Sequence, residues 1–339
     1  MDLTWAKARA PVRVLDAGGW TDTWFAAEGL VCHLCVDPGA EAFVRKSPCR
    51  DDGQVHVRMS VPDFGDDYSF PAEAVPERHP LLEAALRRWA PKGWDLEVEV
   101  SSSVPAGSSL GTSASVVVAL ITALMALDAV EDGPDGLARA AHEVETVDLG
   151  RQSGVQDQVA AAFGGANLVE VAPYPNFKVE KLAVAAPAGG ALGSRLVTVY
   201  LGPHDSSEVH TAVIEHLTND QAAADKVLGS LRDAAAAAAD ALVKGDLEAY
   251  GEAMVANTEA QALLHPMLVN PLAQHVIELA SRHRALGWKV NGAGGPGGSL
   301  SLIAPEDPGE LVEALGKVDG AAVLVLGPAQ KGARLVDAG

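Results

Sequence analysis

The chain reads Ser-Ser-Ser-Val-Pro-Ala-Gly-Ser-Ser-Leu-Gly-Thr-Ser-Ala-Ser from Ser101 to Ser115. An alternating segment at 96–100 precedes this stretch and predicts a strand, and an apolar run at 116–127 follows it and predicts a buried helix. A loop between a strand and a helix start directs backbone N–H groups and the positive end of the helix dipole to one place. The stretch therefore predicts an anion site, and phosphate fits it best. An ordinary loop that ends in an N-cap hydroxyl is the alternative.

Composition limits the class of protein. The chain has 339 residues, 48% of them hydrophobic, which suffices for a large core and favours two domains. The net charge of −20 disfavours nucleic acid and anionic membranes as partners. No apolar run is long enough to span a bilayer, and the N-terminus lacks the apolar segment of a signal peptide, so a cytoplasmic location is expected.

Two further segments contain candidate site residues. Gly18-Gly19-Trp20-Thr21-Asp22-Thr23 follows a predicted strand, and a strand-end turn of this kind suits a small polar ligand. The alternative is a plain Gly-Gly turn in which Thr21 or Asp22 caps the next segment. Asp157 lies in the first turn of a predicted apolar helix at 155–163, where a carboxylate is either a partner of the helix dipole or a catalytic group.

Cysteine usage and domain organisation give weaker indications. Cys32-His33-Leu34-Cys35 has the spacing of half a zinc site, but residues three apart on a strand point to opposite faces and no second Cys pair exists. A metal site there is not favoured. Pro-, Gly- and Ala-rich stretches at 172–175 and 185–193 predict a domain boundary, with domains at 1–185 and 186–339. The glycine-dense turn at 292–298 allows a close backbone approach, for which the loop at 105–113 is a candidate.

Taken together, these segments resemble the GHMP kinases over nearly the whole chain. The family has three motifs, and the matching segments are Pro11-Val12-Arg13-Val14 with Gly18–Asp22, the loop at 105–115, and Gly292-Ala-Gly-Gly-Pro-Gly-Gly298. Within the family, the first motif and the segment at 156–165 look most like L-fucokinase and D-glycero-D-manno-heptose 7-phosphate kinase. The resemblance implies a two-domain α+β fold with the active site in the cleft between the domains.

The resemblance also implies roles for individual residues. Asp157 matches the family's catalytic aspartate and Arg13 an arginine near the transferred phosphate. Ser113 and Glu145 match ligands of Mg²⁺. ATP would be bound by Pro105, Gly107, Ser108, Ser109, Leu110, Gly111, Thr112, Ser113, Gly294 and Gly295. The sugar would be bound by Gly19, Trp20, Thr21, Asp22, Asp157 and His204.

Four departures from the family pattern concern the nucleotide and the substrate. Ser109 stands where the family has glycine, Pro296 stiffens the third motif, and Gly298 replaces an aromatic residue. Related sugar kinases usually have an arginine near the position of His204, so a phosphorylated sugar is bound less easily here unless His204 replaces that arginine.

The expected activity is ATP- and Mg²⁺-dependent phosphorylation of a sugar hydroxyl, most simply the anomeric one, by direct in-line transfer. Two alternatives stay open. One is a kinase for a cyclitol or another non-sugar alcohol, and the other is a non-catalytic sugar or ATP sensor on the same fold. The sequence leaves the oligomeric state undecided, with a homodimer as one alternative.

Overall fold

The computed structural model of the chain describes residues 3–26, 28–50, 54–204 and 207–339; at 186–189, 207–208 and 223 it describes the backbone alone. Strands and helices are mixed along the chain, as expected for an α+β fold. The strands are β1 (Trp5–Ala17), β2 (Gly29–Pro48), β3 (His56–Val61), β4 (Asp66–Pro71), β5 (Trp94–Ser102), β6 (Ala166–Val171), β7 (Phe177–Lys181), β8 (Leu196–Tyr200), β9 (Gly287–Val290), β10 (Ser299–Ile303), β11 (Ala322–Leu324), β12 (Gly327–Pro328) and β13 (Arg334–Ala338).

The helices account for most of the second half of the chain. They are α1 (Pro80–Trp89), α2 (Thr112–Leu127), α3 (Pro134–Glu143), α4 (Gln156–Phe163), α5 (Ala186–Arg195), α6 (Ser207–Asn219), α7 (Gln221–Lys244), α8 (Leu247–Leu264), α9 (Pro271–Arg282) and α10 (Gly309–Leu315). A π-helical turn at Val144–Asp148 extends α3, and short 3₁₀ turns lie at Pro62–Phe64 and Pro266–Leu268. No helix among the described residues has the length and apolar character needed to cross a membrane.

The larger sheet is built around β1 and β2. Its central order is β13-β1-β2-β5-β3-β4, and β12, β6 and β7 join it beside β2. All pairs within it are antiparallel except β3 with β5. Helix α2 packs on this sheet through an almost wholly apolar surface that includes Val118, Leu120 and Ile121, each fully buried. The smaller sheet, β11-β8-β10-β9, forms a separate core with α9 and α10.

Strand β2 differs from the sequence prediction, which placed two strands at 29–36 and 40–45. It is one strand of twenty residues, and β1 pairs with it on both sides of Asp37-Pro38-Gly39. Gly39 permits this continuity because a Cβ there would lie 2.1 Å from the Ala10 carbonyl oxygen. The first part of β2 therefore pairs with β6, and its second part pairs with β5.

The predicted boundary segment at 185–193 is also different, because residues 186–195 form helix α5. The last strands return to the first sheet: β12 pairs with β2, and β13 pairs with β1. The division into domains at 1–185 and 186–339 stays a prediction. This division does not predict that residues 327–338 return to the larger sheet.

Candidate functional site

The loop at 105–111 joins β5 to α2 in the predicted order of strand, turn and helix start. Gly107, Ser109 and Gly111 have φ angles of 70°, 59° and 73°, a left-handed conformation that favours glycine. Helix α2 begins after Gly111, and no side chain caps its N-terminal N–H groups. These N–H groups, which have no acidic side chain in the first turn beside them, suit an anionic ligand.

Two departures from the family pattern, Ser109 and Gly298, fit one another. A Cβ on Gly298 would lie 2.7 Å from the Ser109 Oγ, so the serine side chain fills the space that a larger residue at 298 would need. The Ser109 Oγ is buried and has no hydrogen-bond partner among the described residues. The close approach expected between the third motif and the first loop is thus made at Gly298.

Gly292 also approaches the first loop, whereas Gly294 and Gly295 do not. A Cβ on Gly292 would lie 3.0 Å from the Ser109 carbonyl oxygen. The Gly294 backbone instead packs on the Leu268 carbonyl, to which Gly295 donates its N–H at 3.1 Å. These two glycines therefore pack against the segment that connects α8 to α9. Among the described residues, no contact with the first loop supports their assignment to ATP binding.

Arg13 joins the first loop to Asp157. Its Nε donates to the Asp157 Oδ1 at 2.9 Å, and its Nη1 donates to the Ser109 carbonyl oxygen. The Arg13 side chain is 5% exposed and that of Asp157 is 29% exposed, so only the carboxylate is open to a ligand. Burial alone would lower the pKa of Arg13, but Asp157 and Asp16 outweigh it and raise that pKa, which keeps the guanidinium charged.

A buried polar cluster that the sequence did not reveal lies behind Arg13. Both Asp16 carboxylate oxygens accept the Gly292 N–H at 3.0 Å, and Asp16 lies 3.6 Å from the Lys289 Nζ and 4.0 Å from the Arg13 Nε. Lys289 also donates to the Gln261 Oε1 at 3.0 Å. Asp16 and Lys289 are fully buried. This cluster fixes the third motif relative to Arg13.

Asp22 is buried and lines the same cavity as Asp157. Its Oδ2 accepts the Gln156 N–H at 3.0 Å, and Gly154 leaves room for it, because a Cβ there would lie 2.2 Å from this oxygen. Burial, aided by the charge of Asp157, raises the pKa of Asp22 to about 6, despite the Gln156 hydrogen bond. Asp22 therefore changes its charge just below neutral pH.

This pKa shift predicts a pH-dependent stability. The pKa of Asp22 rises from 3.8 to about 6 on folding, so the folded state favours the protonated form, and ionisation of Asp22 costs stability progressively as the pH rises through this window. Asp22→Asn is expected to raise the free energy of unfolding by up to about 3 kcal/mol at pH 8 and by only about 1 kcal/mol at pH 4.5. Denaturant unfolding of both proteins at the two pH values measures this, and a gain of the same size at both would contradict it.

In the segment Gly18–Asp22 of the first motif, some residues line a cavity beside Asp157 and others stabilise the turn. Trp20 lines the cavity and donates its Nε1 hydrogen to the Ala293 carbonyl oxygen at 3.1 Å. The Thr21 hydroxyl donates to the Gly18 carbonyl oxygen at 2.7 Å and accepts the Leu30 N–H at 3.0 Å. Thr21 is fully buried and outside the cavity lining, so its assignment to sugar binding is corrected to a structural role. Gly19 likewise lies inward, against Asp16 and Gln156.

His204, which was predicted to bind the sugar, contacts the first loop and the third motif, and His210, which was not predicted, lines the cavity. The His204 N–H donates to the Gly107 carbonyl oxygen at 2.8 Å, and its Nδ1 lies 3.3 Å from the Pro296 carbonyl oxygen, so His204 bridges the first loop and the third motif. His210, on α6, lines the cavity instead and packs edge-on against Trp20 at 5.1 Å between ring centroids.

Ser113 and Glu145, the two predicted Mg²⁺ ligands, lie on different elements. Ser113 is exposed on the first turn of α2, and Glu145 lies in the π-helical turn. The Glu145 Oε2 accepts from the Ser153 hydroxyl at 3.0 Å and from the Gln158 Nε2 at 2.8 Å. Burial raises the pKa of Glu145, although both hydrogen bonds oppose this shift. An oriented carboxylate and an exposed hydroxyl near a phosphate cradle are hard oxygen donors that suit Mg²⁺.

Two of the cavities among the described residues have predicted site residues in their linings. The first cavity has a volume of about 380 Å³, and its lining includes Arg13, Trp20, Asp22, Trp24, Phe25, Gln152, Ser153, Gly154, Gln156, Asp157, His210 and Ile214. The second cavity has a volume of about 270 Å³, and its lining includes Phe64, His79, Leu82, Val104, Gly107, Thr112, Ser113 and Arg151. Their volumes are typical of sites for small molecules.

Cys32 and Cys35 are free thiols. Both lie in β2 and are fully buried, and the Cys35 Sγ donates to the Ala160 carbonyl oxygen at 3.3 Å. Burial raises the pKa of Cys32 to about 12 and that of Cys35 further, so both remain thiols. No group of three or more metal-ligating side chains occurs in the part of the chain that the structure describes.

Comparison with known proteins identifies the segment that contains the first loop. Residues 80–165 match the sequence profile of the GHMP kinases N terminal domain. The chain has a GHMP kinase N-terminal domain. This segment contains the whole predicted phosphate loop as well as Ser113, Glu145 and Asp157, the predicted metal ligands and catalytic residue of the GHMP kinase resemblance.

Similarity to individual proteins extends beyond that domain. The chain is 24% identical to the D-glycero-alpha-D-manno-heptose 7-phosphate kinase of Campylobacter jejuni over 93% of this chain and 94% of the relative. It is 28% identical to the mevalonate kinase of Thermococcus sibiricus over 81% and 79% of the two chains. The crystal structure of a D-glycero-D-manno-heptose 1-phosphate kinase from Bacteroides thetaiotaomicron superposes with a TM-score of 0.76 and 22% identity over 98% of each chain. The whole chain thus has the GHMP kinase fold.

Proposed function

We propose that the chain is an ATP- and Mg²⁺-dependent kinase that phosphorylates a hydroxyl of a sugar. The observation that carries the proposal is the position of Asp157, whose carboxylate lines the first cavity while Gly111 of the first loop lies against it. A Cβ on Gly111 would come within 3.1 Å of the Asp157 Cγ. One carboxylate is therefore adjacent both to a cradle for phosphate and to a cavity for an acceptor.

The residues of the chain account for the two halves of such a reaction. The left-handed loop and the uncapped start of α2 would hold the nucleotide phosphates, and Ser113 and Glu145 would hold the metal. Bound Mg·ATP supplies the phosphoryl group and neutralises part of its charge. Asp157 would accept or orient the proton of the acceptor hydroxyl, and Arg13 holds that carboxylate in place.

A sugar acceptor is supported by the mixed character of the first cavity. Trp20, Trp24 and Phe25 form an aromatic cluster, with ring centroids 6.2 Å apart between Trp20 and Phe25 and 5.0 Å apart between Trp24 and Phe25. Asp22, Asp157 and neighbouring amides and hydroxyls supply polar contacts in the same cavity. A sugar presents apolar C–H faces and a rim of hydroxyls, which matches both surfaces. We choose the anomeric hydroxyl as the target because the first motif resembles that of kinases that phosphorylate an anomeric hydroxyl.

The activity can be tested with an ADP-release assay over free sugars, sugar phosphates and cyclitols, at saturating ATP and Mg²⁺. Turnover of a sugar, with the phosphate located by NMR, would support the proposal and identify the target hydroxyl. Turnover of cyclitols alone would favour the alternative acceptor class. ATP binding with no turnover across the panel would refute the kinase and favour a sensor.

The metal ligands give a separate prediction. Ser113→Ala and Glu145→Gln are each expected to raise the Mg²⁺ concentration for half-maximal turnover by roughly 10- to 100-fold, because each removes or neutralises an oxygen donor. Thr122→Ala is the matched control, since its hydroxyl lies on the same helix and donates to the Val118 carbonyl oxygen at 2.7 Å. An unchanged Mg²⁺ titration in both variants would contradict the assignment.

A further inference from the structure

The charges around the first cavity restrict its ligand more than its shape does. Its lining includes two carboxylates, Asp22 and Asp157, and one cation, Arg13. The Arg13 guanidinium is already engaged by Asp157 and by the Ser109 carbonyl oxygen, and it lies 4.0 Å from Asp16. The described lining therefore has no cation free to pair with a charged group on an acceptor.

The imidazole of His210 in the described lining does not supply one either. Burial, with a further contribution from His204, lowers the pKa of His210 to about 4, so this ring is neutral at physiological pH. Its Nε2 is buried and has no hydrogen-bond partner among the described residues. A neutral imidazole can exchange a hydrogen bond with a hydroxyl, but it offers no charge to a phosphate. The segment from residue 203 to residue 214 contains no lysine or arginine.

We propose that the acceptor bound in the first cavity is an uncharged sugar or polyol, and that the cavity selects against acceptors with a phosphate or carboxylate group. This inference rests on the proposed function and specifies its substrate class. Two carboxylates repel an anion, and a charge buried without a partner is strongly disfavoured. The aromatic cluster and the unpaired His210 nitrogen instead complement the C–H faces and hydroxyls of a neutral ligand.

Calorimetric titration of the full-length protein with matched pairs of ligands tests this. The probes are free pentoses, hexoses and heptoses, each paired with its terminal phosphate, and one hexose paired with its carboxylate derivative. The expected result is that a neutral member binds at least about 30-fold more tightly than its anionic partner. Equal or tighter binding of the anionic members overturns the inference, as does binding of neither class.

A charge introduced at His210 makes the test independent of the identity of the sugar. His210→Arg is expected to reduce the preference for the neutral member of a pair at least about tenfold, whereas His210→Gln, which stays neutral, should keep it. An unchanged preference in His210→Arg, with the variant folded by circular dichroism, overturns the electrostatic explanation. Binding with neutral preference but without ADP release would refute the kinase and leave this inference standing, whereas turnover of phosphorylated sugars alone would do the reverse.

Discussion

Asp157→Asn is expected to lower turnover by a factor of roughly 10²–10⁴ and to leave ATP binding almost unchanged. The Asp157 side chain is 29% exposed, and it lines the cavity proposed for the acceptor. Asparagine has the same shape and can still accept the Arg13 Nε–H, so the local geometry should survive. What the substitution removes is the negative charge that would take up or orient the hydroxyl proton.

Steady-state kinetics and nucleotide titration separate these effects. The expected pattern is a large fall in kcat with the KM for ATP within about twofold of the wild type, because an interaction made chiefly in the transition state is lost. Asp148→Asn serves as the control, since Asp148 lies close by in sequence but pairs with Arg88 at 3.2 Å on the surface. A fully active Asp157→Asn enzyme would remove Asp157 from the mechanism, and a loss confined to ATP affinity would make it a structural neighbour of the loop.

The first loop shows what the sequence predicts well. Its order of strand, glycine turn and helix follows from local signals: alternation at 96–100, glycines with left-handed φ angles, and an apolar run after Thr112. These are short-range features that each residue type specifies on its own. The start of α4 next to Asp157 was predictable for the same reason, because the flanking glycines mark its ends.

The cluster behind Arg13 could not be predicted in this way. Asp16 and Lys289 are 273 positions apart, and each lies in a strand where a charged residue ordinarily faces water. Only the pairing of β1 with its neighbours and the position of the third motif bury both charges together. His210 was missed for a related reason, since the direction of a side chain on a helix depends on a phase that the sequence leaves open.

The Asp16 cluster leads to the second large expected effect. Asp16→Asn should lower the free energy of unfolding by roughly 3–5 kcal/mol, the usual cost of removing one partner from a buried ion pair. The substitution keeps the size of the side chain and one acceptor for the Gly292 N–H. It leaves Lys289 buried without its carboxylate, and burial already lowers the pKa of that amine.

The pH dependence gives this prediction a distinct sign. Burial alone would raise the pKa of Asp16, but Arg13, Lys289 and the Gly292 N–H outweigh it, so the pKa lies below 3.8 in the folded chain. The stabilisation from Asp16 is therefore fully present above pH 3.8 and is lost as the pH falls towards the lowered value. The difference between wild type and variant should accordingly be constant from pH 6 to pH 8 and shrink only in strong acid.

A double variant distinguishes loss of the ion pair from general damage to the core. Adding Lys289→Met to Asp16→Asn removes the unpaired cation, so the double variant should be more stable than Asp16→Asn alone. The exposed pair of Asp240 and Lys244 on α7 is the matched control, and Asp240→Asn should change stability by less than about 1 kcal/mol. Because Asp16 holds Gly292 and Arg13 holds Asp157, the single variant should also lose turnover at temperatures where it stays folded. If the two substitutions change the free energy of unfolding in a strictly additive way, the two charges are stabilised independently. The cluster would then not connect the third motif to Asp157.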